Sequence, residues 1–109
     1  MRRYKKVLLE ISGRLHGEES ALAAQAIAAV QLNESTTMLD LRVPDSAPRM
    51  SAPDGPLDIR TFVVERSGEY VGEIIVWVTD GFVSCLEQAW YIGDAPRSWP
   101  DTRRLVAGQ

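Results

Sequence analysis

The stretch Gly72-Glu-Ile-Ile-Val-Trp-Val-Thr-Asp-Gly-Phe-Val-Ser-Cys-Leu-Glu-Gln-Ala-Trp-Tyr-Ile92 decides the fold. Two apolar runs meet at Asp80-Gly81, a pair that supplies the two positive-φ positions of a type I′ turn and so predicts a β-hairpin. A two-residue turn there pairs Thr79 with Phe82, Trp77 with Ser84, Ile75 with Leu86, Glu73 with Gln88 and Val71 with Trp90 on one face. The other face then pairs Val78 with Val83, Val76 with Cys85, Ile74 with Glu87 and Gly72 with Ala89. The second set is small and apolar, as expected beneath a covering helix. The first mixes large aromatics with polar groups, and aromatic residues framed by polar ones are what binding surfaces use as anchors.

Working outward, Ser67-Gly68-Glu69 turns the chain before the hairpin, and Ile59 to Arg66 reads as another strand. Thr36 to Val43 alternates, with Leu39, Leu41 and Val43 on one side and Met38, Asp40 and Arg42 on the other, as in a strand with one wet face. Four of the six prolines fall in Pro44 to Pro56, so that segment reads as a loop excluded from a sheet interior. Near the start, Tyr4, Val7, Leu8, Ile11 and Leu15 repeat at helical spacing. A second helix begins at Glu18 or Glu19, whose charge suits the positive helix end, and runs to Ala28. Between Ala28 and Asn33 the pattern fits either a prolonged helix or the start of a strand. After Gly93 the proline-rich tail reads as extended. The expectation is one α+β domain, with two N-terminal helices packed on a four- or five-stranded, mainly antiparallel sheet.

A chain of 109 residues with 45% hydrophobic composition suffices for one core. With 25% charged residues and a formal net charge of −3, the balance argues against nucleic acid as a partner. Arg2, Arg3, Lys5, Lys6 and Arg14 cluster near the start, but they interleave with the helix's apolar positions and precede Glu18 and Glu19, so a solvated helix face is expected. No apolar run of the roughly seven residues that a signal peptide needs, nor of the roughly 18 that span a bilayer, is present. With a single cysteine, Cys85, the chain fits a reducing cytosol, and a cytoplasmic protein without membrane association is expected.

Catalytic and metal constellations are missing from the sequence. His16 is the only histidine and has no evident partner nucleophile, and one His with one Cys falls short of the three or so protein ligands that a zinc site takes. Glu73 and Glu87 are expected on opposite faces of the hairpin, too far round to flank one bond, and Glu87 is read as a buried acid with a partner such as Arg60. No phosphate-binding glycine loop occurs. No cofactor is expected. Asp40, Glu69, Glu73, Trp77 and Trp90 are left as the candidate partner-binding residues, the acids setting encounter and the aromatics residence time.

The run Ile75 to Glu87, with Asp94-Ala95-Pro96 and Trp99-Pro100-Asp101, resembles the C-terminal part of a group of small actinobacterial α+β proteins of unknown activity. Glu19 to Gln25 and Leu39 to Val43 are similar too. In that group a cysteine-rich turn often precedes the latter strand; here Asn33-Glu34-Ser35-Thr36-Thr37 stands in its place, which removes any metal or redox role of such a turn. Small cytosolic proteins of this kind are often immunity proteins encoded beside secreted toxins. What the resemblance implies is a protein-binding module, not an enzyme, whose partner is a toxin domain occluded at its active site. The alternatives are a small enzyme or ligand carrier, which needs a concave pocket with converging polar groups, and a homodimer built on the first helix or an exposed edge strand.

Overall fold

A computed structural model describes residues 1–108 and has the α+β architecture expected, with more strands. Two helices, α1 (Arg3–Ser12) and α2 (Glu19–Ala28), lie on one face of a seven-stranded sheet. Its strands are β1 (Val30–Gln31), β2 (Met38–Arg42), β3 (Gly55–Pro56), β4 (Thr61–Val64), β5 (Tyr70–Thr79), β6 (Phe82–Trp90) and β7 (Leu105–Ala107), paired antiparallel in the order β1-β2-β6-β5-β4-β7 with β3 beside the far end of β5. The additional strands are very short. Gly55–Pro56 sits inside the proline loop and Leu105–Ala107 inside the tail, and neither is long enough for an alternation of residue types to show. Of the two readings open for the stretch after Ala28, the strand holds and the prolonged helix does not: α2 ends at Ala28 and β1 begins at Val30.

Tyr4, Val7, Leu8 and Ile11 of α1 are buried against Leu22 and Ala26 of α2 and against Leu39, Leu41, Ile74, Val76, Val78, Val83 and Leu86 of the sheet. The apolar stripe of α1 is thereby covered within one chain. The basic residues around α1 act as fasteners. Lys5 Nζ donates to the carbonyls of Ile27 and Ala29 at 2.7 and 2.9 Å, satisfying acceptors that the end of α2 leaves open. Arg14 reaches the carbonyl of Leu105 at 3.1 Å and ties α1 to β7.

The Asp80-Gly81 turn forms as expected, with φ of 54° and 82°. Only the first two hairpin pairs, Thr79 with Phe82 and Val78 with Val83, keep the register of a plain two-residue turn. Trp77 then pairs with Cys85, so Ser84 is an extra residue, a β-bulge. The Ser84 hydroxyl accepts from the Thr79 hydroxyl at 2.9 Å and donates to the Trp77 carbonyl at 3.4 Å, which gives the bulged residue local partners. Since side chains alternate along a strand, one inserted residue inverts every later position of β6. Leu86 and Gln88 therefore turn under the helices, while Cys85, Glu87 and Ala89 move to the helix-free face. The expected placement of Val76 opposite Cys85 and Ile74 opposite Glu87 is corrected to Val76 opposite Leu86 and Ile74 opposite Gln88.

Gln25, fully buried in α2, fixes this turn. Its amide nitrogen donates to the carbonyls of Pro48 and Gly81 at 2.8 and 2.9 Å, and its amide oxygen accepts from the Val83 N–H at 2.9 Å. Replacing Gln25 by Leu keeps the volume but leaves the buried Val83 N–H and the Pro48 carbonyl without this partner, while the Gly81 carbonyl keeps the Met50 N–H. A buried group left unpaired costs about 1 to 3 kcal/mol. The expected outcome is a loss of at least ~2 kcal/mol in urea unfolding; an unchanged midpoint would show that the tie contributes nothing.

Candidate protein-binding face

With the helices on one side, the opposite face of the sheet carries no helix. Its side chains follow from the observed register. One cross-strand row runs Asp40, Cys85, Trp77; the next, Met38, Glu87, Ile75; the next, Ala89, Glu73, Phe62, Val106. Asp40, Glu73 and Trp77 thus share one face, as expected. Glu87 joins them, contrary to its expected place on the opposite face from Glu73, because the bulge at Ser84 reverses it.

Trp77 is half-buried and its indole N–H donates to Glu87 Oε1 at 2.9 Å. That contact replaces the expected Glu87–Arg60 pair. Arg60 instead forks onto Glu73, with 3.2 and 3.3 Å contacts, and stacks its guanidinium 4.7 Å from the Phe62 ring centre. The Tyr91 hydroxyl gives Glu73 a third donor at 2.9 Å. The Phe62 ring in turn stacks on Tyr70 at 4.8 Å between centres. Hydrogen bonding from Arg60, supported by Tyr91, holds the Glu73 carboxyl below its ordinary range. Asp40 is exposed, in line with Cys85 and Trp77.

Trp90 and Glu69 do not belong to this face. The inverted register turns Trp90 to the helix side, opposite Gly72, where it is 44% exposed. It lines a cleft of about 370 Å³ whose wall also includes Glu69, Gln88, Asp94 and Arg97. The five candidate residues are therefore split into two groups, Asp40, Glu73 and Trp77 on the open sheet face and Glu69 with Trp90 in the end cleft. Sequence reasoning missed Glu87 and Arg60 as members of the open face. The only available signal was Ser84, a small polar residue in an otherwise apolar strand start, which is a weak marker of a bulge.

Chemically, the open face offers aromatic area, carboxylates and one thiol. Burial, together with the charges of Asp40 and Glu87, pushes the Cys85 thiol up to about 11, so it is protonated and unreactive at neutral pH. Among the described residues no group of three or more His, Cys, Asp or Glu side chains is placed to hold a metal ion, and no helix is long and apolar enough to cross a membrane. His16 is exposed in the turn between α1 and α2. No known protein family, curated protein or solved structure matches the chain.

Two outcomes are expected. Iodoacetamide at pH 7.5 should leave Cys85 unmodified in the folded protein over a time in which the urea-unfolded chain reacts fully, as mass spectrometry reads. Rapid native labelling would contradict its burial. For Glu73, the folded carboxyl titrates below its unfolded value, near 4.5, so its contribution to stability is present above about pH 4.5 and is lost as pH falls through the lower folded value. Because Arg60 is largely exposed, the effect is at most ~1 kcal/mol. Glu73→Gln should flatten that part of the acid limb of an unfolding-versus-pH curve; an unaltered limb would show that the pair is inert.

Proposed function

We propose that this chain is a protein-binding module that acts through the helix-free face of its sheet, in its host as a cytosolic immunity protein covering the active site of a toxin domain. The observation that supports this reading is a half-buried tryptophan, Trp77, on an uncovered sheet face beside Asp40, Glu87 and Glu73. A sheet face of aromatic and mainly acidic side chains, Asp40, Glu73 and Glu87 against Arg42 and Arg60, suits a protein surface better than a small substrate. Its aromatics supply desolvated contact area and its acids guide a basic partner. Substrate-binding surfaces of enzymes that act on nucleic acids or phosphates are basic, which fits an acidic inhibitor face. The pairing of Glu87 with the Trp77 indole holds the ring in one orientation before binding, which lowers the entropy lost on association.

The end cleft around Trp90 and Glu69 favours a second reading, a small ligand-binding protein or enzyme. Its concavity and mixed polar lining are what a ligand site requires.

The test is co-expression with the product of the adjacent gene, followed by calorimetry and growth rescue of cells making that product. Trp77→Ala should weaken the complex by ~2 kcal/mol or more, as removal of an interface anchor does, while shifting the melting temperature little. A variant that binds normally but loses about 3 to 5 kcal/mol of folding stability would make Trp77 a packing residue only. Loss of binding on Trp90→Ala with Trp77→Ala silent would move the interface to the end cleft.

A further inference from the structure

At the N-terminal end of α1 a second cleft, of about 320 Å³, opens between the start of the helix, the 31–36 segment and the tail at Arg97–Trp99. Arg2, Arg3 and Arg97 all line it, against a single lining carboxylate, Glu34. Arg2 also donates from Nη1 to Gln31 Oε1 at 2.8 Å, and Asp101, outside the lining, lies near enough to Arg3 to feel its charge. The Glu34 carboxylate is 3.8 Å from Arg2 with 85% of its side chain exposed, a loose and largely screened pair. In a chain whose net charge is −3, this is a local reversal of sign. Of the five basic residues near the start, Lys5 and Arg14 are committed to backbone carbonyls elsewhere and Lys6 is exposed outside the cleft, so the convergence comes from pairing Arg2 and Arg3 with Arg97, more than 90 positions away.

The cleft is built rather than incidental. Arg3 donates from Nη1 to the Trp99 carbonyl at 3.1 Å, which holds the tail against the helix and uses one of the guanidinium's several N–H donors. The Thr36 hydroxyl donates to the Pro96 carbonyl at 2.8 Å and closes the opposite wall. Buried Tyr4 and Trp99 form a rigid floor. The first turn of α1 contains no acidic residue and its N-cap, Arg2, makes no side-chain cap, so no negative side chain of the helix competes for this space. The volume is at the small end of the ~300 to 1,000 Å³ typical of ligand sites and suits a compact group.

We infer that this cleft binds a phosphate group, through Arg2, Arg3 and Arg97. Guanidinium N–H forks match the oxygens of a tetrahedral dianion, and three of them around one cleft compensate its charge. The site lies apart from the sheet face to which partner binding is assigned, so occupancy and protein binding are separable.

The test uses the isotope-labelled full chain at pH 7.5, titrated with sodium phosphate and, separately, with sodium chloride at equal ionic strength, followed by amide and arginine Nε shifts. Saturable shifts centred on Arg3, Tyr4, Thr36 and Ser98 with phosphate alone are expected. Arg97→Ala, a fully external change, should raise the apparent Kd about fivefold, and adding Arg2→Ala should abolish saturation, with circular dichroism unchanged in both. A parallel titration with phenyl phosphate distinguishes the sources: tighter binding than free phosphate assigns an ester-borne group, weaker binding the free ion. Non-saturating shifts that chloride reproduces, saturation unaffected by the double substitution, or shifts centred elsewhere would overturn the assignment.

Discussion

Everything on the sheet is placed by how the Asp80-Gly81 turn is held. The turn needs positive φ at both residues, and Gly81 is hemmed in: a Cβ there would lie 2.7 Å from the Met50 carbonyl. Gln25 from α2 and the Met50 N–H both donate to the Gly81 carbonyl, at 2.9 Å each, so the helix layer and the proline loop are fastened to the same two-residue turn. Asp54 accepts from the Asp80 N–H at 2.7 Å and Arg49 pairs with the Asp80 carboxylate at 2.8 Å, which adds two surface contacts from the same loop. With the turn fixed, the long strands β5 and β6 must leave it in one orientation, and the bulge at Ser84 then determines which side of β6 faces the helices.

That single inserted residue separates structure from binding surface. By turning Leu86 and Gln88 inward it puts a large apolar residue and a bonded amide beneath the helices, where Gln88 donates to the carbonyls of Thr36 and Ser98 at 3.0 and 3.2 Å and tethers both the β2 approach and the tail. By turning Glu87 outward it gives the Trp77 indole its acceptor and avoids burying an ionised acid without a countercharge, a costly arrangement. The bulge is thus the lower-energy solution for the sequence Val-Ser-Cys-Leu-Glu-Gln, even though an unbulged hairpin satisfies the turn equally well.

Charge is partitioned in the same way. The open face carries Asp40, Glu73 and Glu87 together with Arg42 and Arg60, the last paired with Glu73, and the end of α1 gathers arginines. Regions of different charge on a chain of small net charge suit one cationic and one anionic contact.

The sequence by itself determined what depends on local spacing. The helical stripe Tyr4, Val7, Leu8, Ile11, the alternation of Leu39, Leu41 and Val43 against Met38, Asp40 and Arg42, and the Asp80-Gly81 turn are each written in a few adjacent residues, and each appears where its pattern places it. Along β5 even the faces were legible, with Ile74, Val76 and Val78 inward and Glu73 and Trp77 outward. Only the tertiary structure decided the faces of β6 beyond Val83, because Ser84 can sit in register or bulge, and the choice is made by what packs beneath the helices and not by its neighbours. The short strands Gly55–Pro56 and Leu105–Ala107, the three-way bond of Gln25, the Arg60 fork on Glu73 and the meeting of Arg97 with Arg2 and Arg3 all join residues far apart in the chain. Such contacts leave no periodicity to read; they exist because the folded chain brings their donors to acceptors that would otherwise be buried unpaired, or their charges to one cleft.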